Sequence, residues 1–222
     1  MSKSVHPYAH RLVTVRDWKS RWFSIPKKFK ENLRSDVLLR EYLDEKLRTF
    51  YISLVEIERK GKTLRIIIRT SRPGMLIGKS GEGIEKLRQD LISFSRKNKL
   101  PITTEFKLEV LEVPVPDADA AIVAYSIAEG LEKRLPFRRV IKQTIEKTMM
   151  SRGVLGARIS LSGRLGGAEI ARGEDIKRGS IPLQTIRADV DFARERAHLP
   201  YGDLGIKVWI YKGEVFSKKQ GA

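Results

Sequence analysis

The segment Ile77-Gly78-Lys79-Ser80-Gly81-Glu82-Gly83-Ile84 restricts what this chain can fold into more than any other stretch. Two glycines bracket Lys79-Ser80. A helical pattern begins at once, with Ile84, Leu87 and Leu91 on one stripe and Phe94 or Ser95 a turn further on. Glycine reaches backbone conformations closed to other residues, and without a Cβ it lets another backbone come close. A tight loop that opens a helix turns backbone N–H groups outward, where the helix dipole and the Lys79 ammonium both favour an anion. Gly78, Lys79, Ser80 and Gly81 are therefore candidate contacts for a phosphate backbone. The plainer alternative is that the glycines only shape a turn and bind nothing.

The same residues nearly spell a nucleotide-binding P-loop. That motif needs four residues between its first glycine and Gly-Lys-Ser. Only three separate Gly74 from Gly78, and Pro73 stands where the glycine belongs. No apolar strand ends in an aspartate that would hold Mg²⁺. Nucleotide hydrolysis is not expected, and no cluster of carboxylates or histidines marks another catalytic centre. The GxxG spacing with its flanking aliphatic residues instead resembles the loop of a KH domain, a module that clamps about four nucleotides.

Charge points the same way. Lys and Arg number 44 against 27 Asp and Glu, a net +17, and such a chain seeks a polyanion. No run of about 18 apolar residues could span a bilayer, and no apolar segment near the N-terminus reads as a secretory signal. With no cysteine, disulfides and Cys-based zinc sites are excluded, and a reducing compartment is expected. No cofactor or metal is expected either. His6 and His10 lie four apart without a third ligand nearby.

Residues 1–34 concentrate the charge, with nine Lys or Arg against two acids. Trp18, Trp22 and Phe23 interleave with Arg16, Lys19 and Arg21, a pattern that suits phosphate pairing and base stacking. Lys3, Arg11, Arg16, Lys19 and Arg21 are the candidate RNA contacts of this arm. The competing reading is that its aromatic residues simply pack.

From Phe29 to Phe50, apolar residues at Leu33, Val37, Leu43, Leu47 and Phe50 predict an amphipathic helix. Two alternating segments, Tyr51–Arg59 and Leu64–Arg69, flank Gly61-Lys62 and predict a hairpin. A helix follows the GxxG loop to about Arg96, and Ile102–Val113 predicts a third strand. This is the order of a type II KH domain. Pro114 and Pro116 mark a domain boundary. The division is a basic arm over 1–28, a KH domain over 29–113, a second domain over 114–216 and a short basic tail over 217–222.

In the second domain, Asp117 and Asp119 open a helix that ends before Pro136, where carboxylates suit the helix start. A second helix runs from about Arg138 to Ser151. Strands are predicted at Ala157–Ser162, Thr185–Phe192 and Gly205–Tyr211, an α+β layer of antiparallel type on two helices. Asp189 and Asp191 could hold Mg²⁺, but pairing with Arg or Lys is the commoner use of such carboxylates. Arg138, Arg139 and Lys142 fall within one ~100° arc near the helix start, opposite the apolar residues. Cations there oppose the helix dipole, so stability does not favour them, and a ligand is the better reason for their presence. The segment Ser162-Gly163-Arg164-Leu165-Gly166-Gly167-Ala168-Glu169-Ile170-Ala171-Arg172 joins a flexible backbone to two arginines, and suits an RNA phosphate or a neighbouring protein.

Together with Val5-His6-Pro7, Arg11-Leu12, Arg72-Pro73-Gly74, Phe137-Arg138-Arg139, Arg187-Ala188-Asp189, Tyr201-Gly202 and Gly205–Ile210, these motifs make the chain resemble bacterial-type small-subunit ribosomal protein number three from end to end. The Gly163–Arg172 segment is the most family-specific of them. The resemblance implies a non-enzymatic protein of the small-subunit head, binding 16S ribosomal RNA and head proteins numbers ten and fourteen. It implies a place in cytoplasmic ribosomes, or organellar ones, with no membrane contact and no homo-oligomer. It further implies that Arg138, Arg139 and Lys142 face incoming mRNA and assist its unwinding. It makes Gly163, Arg164, Gly166, Gly167 and Arg172 contacts to rRNA or protein. One departure is Gly173-Glu174-Asp175-Ile176, where many members carry aromatic residues. The alternative function is a free KH-domain RNA-binding or RNA-processing factor.

Overall fold

A computed structural model describes residues 5–61, 63–100 and 105–216. The elements run α1 (Pro7–His10), β1 (Ser20–Arg21), α2 (Pro26–Lys46), β2 (Ile52–Lys60), β3 (Thr63–Thr70), α3 (Pro73–Ile77), α4 (Glu82–Lys97) and β4 (Glu105–Glu112). They continue with α5 (Ala120–Glu132), α6 (Phe137–Met150), β5 (Gly156–Gly163), β6 (Arg172–Gly179), β7 (Ala188–Leu199) and β8 (Gly202–Glu214). The chain divides into a unit of residues 18–114 and a second of residues 1–17 with 115–222.

The first unit is the KH domain. Its sheet has the order β1-β2-β3-β4, with β2 and β3 antiparallel and β4 parallel to β3. Leu39 and Leu43 of α2 and Leu87 and Leu91 of α4 pack on Val55, Ile57, Leu64, Ile66 and Ile68. Alternation then turns Glu56, Glu58, Arg65 and Arg69 to the other face. There Arg21 pairs with Glu56 at 3.0 Å and Glu58 at 2.7 Å, and Arg65 reaches Glu58 at 3.2 Å and Glu109 at 2.5 Å. This face thus neutralises its own charge.

Three features of this unit differ from the periodicity reading. Helix α2 starts at Pro26, where a missing N–H costs nothing. Leu33 and Val37 do not join the core; with Phe29 they form a half-exposed stripe, while Leu39, Leu43 and Leu47 are buried. The charged first half of the helix fits either phase, and the sheet selects the second. Helix α3 is too short to leave a periodic trace. The first residues of the predicted third strand, 102–104, lie outside the described residues, as does the 217–222 tail.

The second unit is a two-layer α/β domain. Its antiparallel sheet has the order β6-β5-β8-β7. Ile127, Ala128 and Leu131 of α5 and Val140, Ile141 and Ile145 of α6 cover Ala157, Ile159, Leu161, Ile206, Val208 and Ile210. Asp119 Oδ1 accepts from the N–H groups of Ala121 and Ile122, so it caps α5 as expected of a helix-start carboxylate. A smaller apolar cluster of Ala188, Val190, Trp209 and Tyr211 lies on the other face, with Ile181, Leu183 and Phe192 against it. Strand β6 was not expected: its sequence RGEDIKRG lacks apolar alternation, and it pairs only along one edge, with β5. Strand β7 starts three residues later than predicted and runs seven further, to Leu199.

The leading segment is not one arm. Residues 5–17 belong to the second unit, and residues from Trp18 belong to the first. His6 meets Phe192 edge-on at 4.7 Å between ring centroids, and Arg16 pairs with Asp189 at 2.7 Å. Asp191 accepts from the Ala120 N–H at 3.0 Å, and its carboxylate lies 3.6 Å from Arg16 and 3.7 Å from Lys212. These two aspartates are thus occupied by structural partners. Arg187 precedes the strand and pairs with Glu214 at 2.5 Å.

Candidate nucleic-acid interface

The GxxG loop joins α3 to α4 through a single 3₁₀ turn at Lys79–Gly81. Gly78 and Gly81 have φ of 70° and 84°, and Ser80 also takes a positive φ of 54°. A left-handed non-glycine residue costs roughly 1–2 kcal/mol, so the loop is held in this shape by its surroundings. Gly83 sets the helix crossing: a Cβ there would lie 2.6 Å from the Leu76 carbonyl oxygen. Around Gly81 nothing lies within 4 Å of a built Cβ, and Gly78, Lys79 and Ser80 are exposed. No side chain caps the start of α4. Exposed donors, a cation and open space thus coincide at the loop. Before Gly78 the chain is helical, not a strand running into a wide loop, so the geometry departs from a P-loop as well.

Substituting Asp at both Lys79 and Ser80 is expected to abolish RNA crosslinking at the loop and to leave the circular dichroism spectrum unchanged, since exposed loop positions carry little stability. Absence of crosslinking to the loop even in the unaltered protein on ribosomes would show that the loop serves only the helix turn.

Helix α6 presents the three predicted cations. Arg138, Arg139 and Lys142 are all exposed, while Val140, Ile141, Ile145 and Thr148 face the core. The helix has no side-chain cap and no acidic residue in its first turn, so nothing local offsets cations at its positive end. Arg138 reaches Glu174 at 3.1 Å, a surface ion pair. Arg139 and Lys142 have no ion pair among the described residues.

The glycine-rich segment is more constrained than a flexible loop. Leu165 is buried, and Gly166 and Gly167 take φ of 67° and 81°. Arg164 is half-buried and donates to the carbonyls of Ala168 at 2.9 Å and Tyr201 at 3.2 Å, so its first role is to pin the turn. Gly163 sits where a Cβ would lie 2.7 Å from a Leu204 methyl. Arg172 is exposed at the start of β6 and, with Ala168, Glu169 and Ile170, lines a shallow depression.

The arm residues divide sharply. Lys3 lies outside the described residues. Arg11 is 1% exposed, and its guanidinium donates to the carbonyls of Pro7, Pro182, Leu183, Thr185 and Ala188 at 2.6–3.1 Å. Burial pushes its pKa below the usual arginine value, and the Asp189 carboxylate pulls it back up. Arg11 is thus enclosed by carbonyls of its own chain, which leaves almost none of its surface to meet RNA. Arg16 and Arg21 are committed to carboxylates, and Lys19 is exposed. Trp22 donates to Asp36 at 2.6 Å and packs on Phe29, whereas Trp18 and Phe23 remain 55% and 96% exposed. Among the described residues, no group of three or more His, Cys, Asp or Glu converges on a metal position.

Comparison with known proteins bears on this arrangement. A family described as "KH domain" matches residues 38–113, and one described as "Ribosomal protein S3, C-terminal domain" matches residues 127–210. "Small ribosomal subunit protein uS3" of Caldicellulosiruptor bescii is 44% identical over the whole chain and 97% of its own length. The Clostridium tetani protein of that name is 43% identical over 99% of the chain and 96% of its own length. That of Pseudomonas aeruginosa strain UCBPP-PA14 is 44% identical over 99% and 93%.

Proposed function

Since the chain belongs to the uS3 family of small-ribosomal-subunit proteins and carries its RNA-binding KH domain, we propose that it is a structural protein of the subunit head. In this reading it binds 16S ribosomal RNA and neighbouring head proteins in cytoplasmic ribosomes and has no catalytic chemistry of its own. The GxxG loop and the exposed glycine-rich turn serve RNA or protein neighbours. Arg138, Arg139 and Lys142 line the channel by which mRNA enters. The observation that carries the last point is the cation cluster on α6: two of its three members lack a carboxylate partner among the described residues, at a helix end where the dipole disfavours them.

Three cations on one helix face hold the phosphates of a single strand and favour an opened duplex over a paired one. Each phosphate contact is modest, so single Ala variants should have small effects. The triple change R138A/R139A/K142A is expected to slow translation through stable hairpins several-fold and to spare unstructured messages. The opposite face of α6 carries the core, so folding is expected to survive. Translation by reconstituted subunits through hairpins of graded stability is the test. Equal slowing on structured and unstructured messages would remove the unwinding role.

A further inference from the structure

The face of the second sheet turned away from α5 and α6 carries, beside the apolar cluster around Trp209, a charge pattern that the fold itself does not explain. Ile206, Val208 and Ile210 of β8 and Ala157, Ile159 and Leu161 of β5 enter the core beneath α5 and α6. Lys207, Arg158, Ser160 and Ser162 therefore turn to the opposite face. The register places Arg194 of β7 directly across from Lys207, Lys207 across from Ser160, and Ser160 across from Asp175 of β6. The adjacent row is Arg196, Gly205, Ser162 and Gly173; on the other side lie Phe192, Trp209, Arg158 and Lys177.

Directly opposed residues on antiparallel strands have Cβ atoms about 4.5–5.5 Å apart, and like charges so placed destabilise the pair. Arg194 and Lys207 are such a pair. Both are exposed, as is Lys177, and none of the three has an ion pair among the described residues. Asp175, the one carboxylate in these rows, is taken by Arg158 at 2.8 Å. The Arg158 guanidinium lies 5.2 Å from the Trp209 ring centroid, which fixes the edge of the patch. Between the cations the floor is low: Gly205, Gly173, Ser160 and Ser162 carry little or no side chain. A Cβ on Gly205 would come within 2.9 Å of the Ser162 hydroxyl, so the floor cannot be raised at that point without moving Ser162.

We propose that this face is a further RNA-binding surface, on the side of the sheet opposite α6, where Arg194, Lys207 and Lys177 hold phosphates of the small-subunit ribosomal RNA. A bound polyanion relieves the Arg194–Lys207 repulsion. The low floor lets a sugar–phosphate backbone approach, and the Ser160 hydroxyl can donate to its oxygens. The inference rests on the ribosomal reading above.

The chain has no cysteine, so S162C introduces a single thiol at the centre of the patch. An iron chelate tethered there, in reconstituted small subunits, is expected to cleave ribosomal RNA by hydroxyl radicals close to the probe. Independently, R194E sets a carboxylate opposite Lys207. The variant should keep or raise the unfolding midpoint, yet weaken binding of the full chain to purified 16S ribosomal RNA, with the log–log salt slope reduced by about 0.7–0.9 for the lost contact. A merely structural arginine would not raise stability and lower RNA affinity together. Subunits that contain the S162C protein but show no cleavage from it overturn the inference and leave the ribosomal reading standing. So does R194E with unchanged affinity and slope. Failure of the unaltered protein to enter subunits would sink the ribosomal reading and this surface with it.

Discussion

Replacing Arg11 with Met is expected to lower the unfolding midpoint of the C-terminal unit by about 10 °C or more while leaving the salt dependence of RNA binding nearly unchanged. The guanidinium donates to five carbonyls from two distant parts of the chain, Pro7 on one side and 182–188 on the other. Hydrogen bonds from a charged donor contribute roughly 1.5–3 kcal/mol each, and bonds that share one cation do not add fully. A net loss on the order of 4 kcal/mol is therefore expected, large against the 5–15 kcal/mol that holds a typical domain. Lysine should recover only part of it, because a single ammonium cannot present the planar fork that these carbonyls surround. Calorimetry of R11M and R11K beside the unaltered chain, with RNA titrations at several salt concentrations, separates the two roles. An unchanged midpoint with a reduced salt slope would return Arg11 to the RNA-facing set.

The second large effect is expected at Asp36. This carboxylate of α2 accepts from Arg59 Nε at 3.0 Å and Nη2 at 2.6 Å, and from the Trp22 indole at 2.6 Å. The Asp36 and Arg59 side chains are 4% and 7% exposed. Removing one partner of a buried pair leaves an uncompensated charge, and D36A should destabilise the KH domain by about 3–5 kcal/mol. It should also loosen Trp22, and with it the edge of the sheet where Arg21 meets Glu56 and Glu58. The double change D36L/R59M should regain much of the loss, since apolar residues of similar size carry no desolvation penalty. Denaturant unfolding of the three variants gives the cycle. If D36A and D36L/R59M fall equally far, the cost lies in packing and not in the stranded guanidinium.

Both predictions concern residues whose roles depend on partners distant in sequence. Arg11 looked like one more cation in a basic arm, because nothing in Arg11-Leu12 reveals carbonyls more than 170 positions away. The Asp189–Asp191 pair could hold Mg²⁺ on sequence grounds, with ion pairing the commoner use, and only the fold shows which partners lie against it: Arg16, Lys212 and the Ala120 N–H. Strand β6 escaped notice because an edge strand with one inward-packing aliphatic residue, Ile176, shows no alternation. By contrast, the loop at Gly78–Gly81, the caps at Asp119 and the two faces of α6 were legible, since each is written within one or two turns of chain.

The sequence by itself determined the order of the main KH elements, the KH loop and its helix, the cationic face of α6 and the family. Glycine placement, helical period and strand alternation act over a few residues, and local sterics read them directly. Only the tertiary structure decided which of the 44 basic residues are occupied and which are presented to a ligand. Arg11, Arg16, Arg21 and Arg59 meet carbonyls or carboxylates brought to them by the fold, while among the described residues Arg139, Lys142, Arg194 and Lys207 have no ion pair. Charge is a property of the residue, but its compensation depends on distance through space, and strand register and chain crossing set that distance.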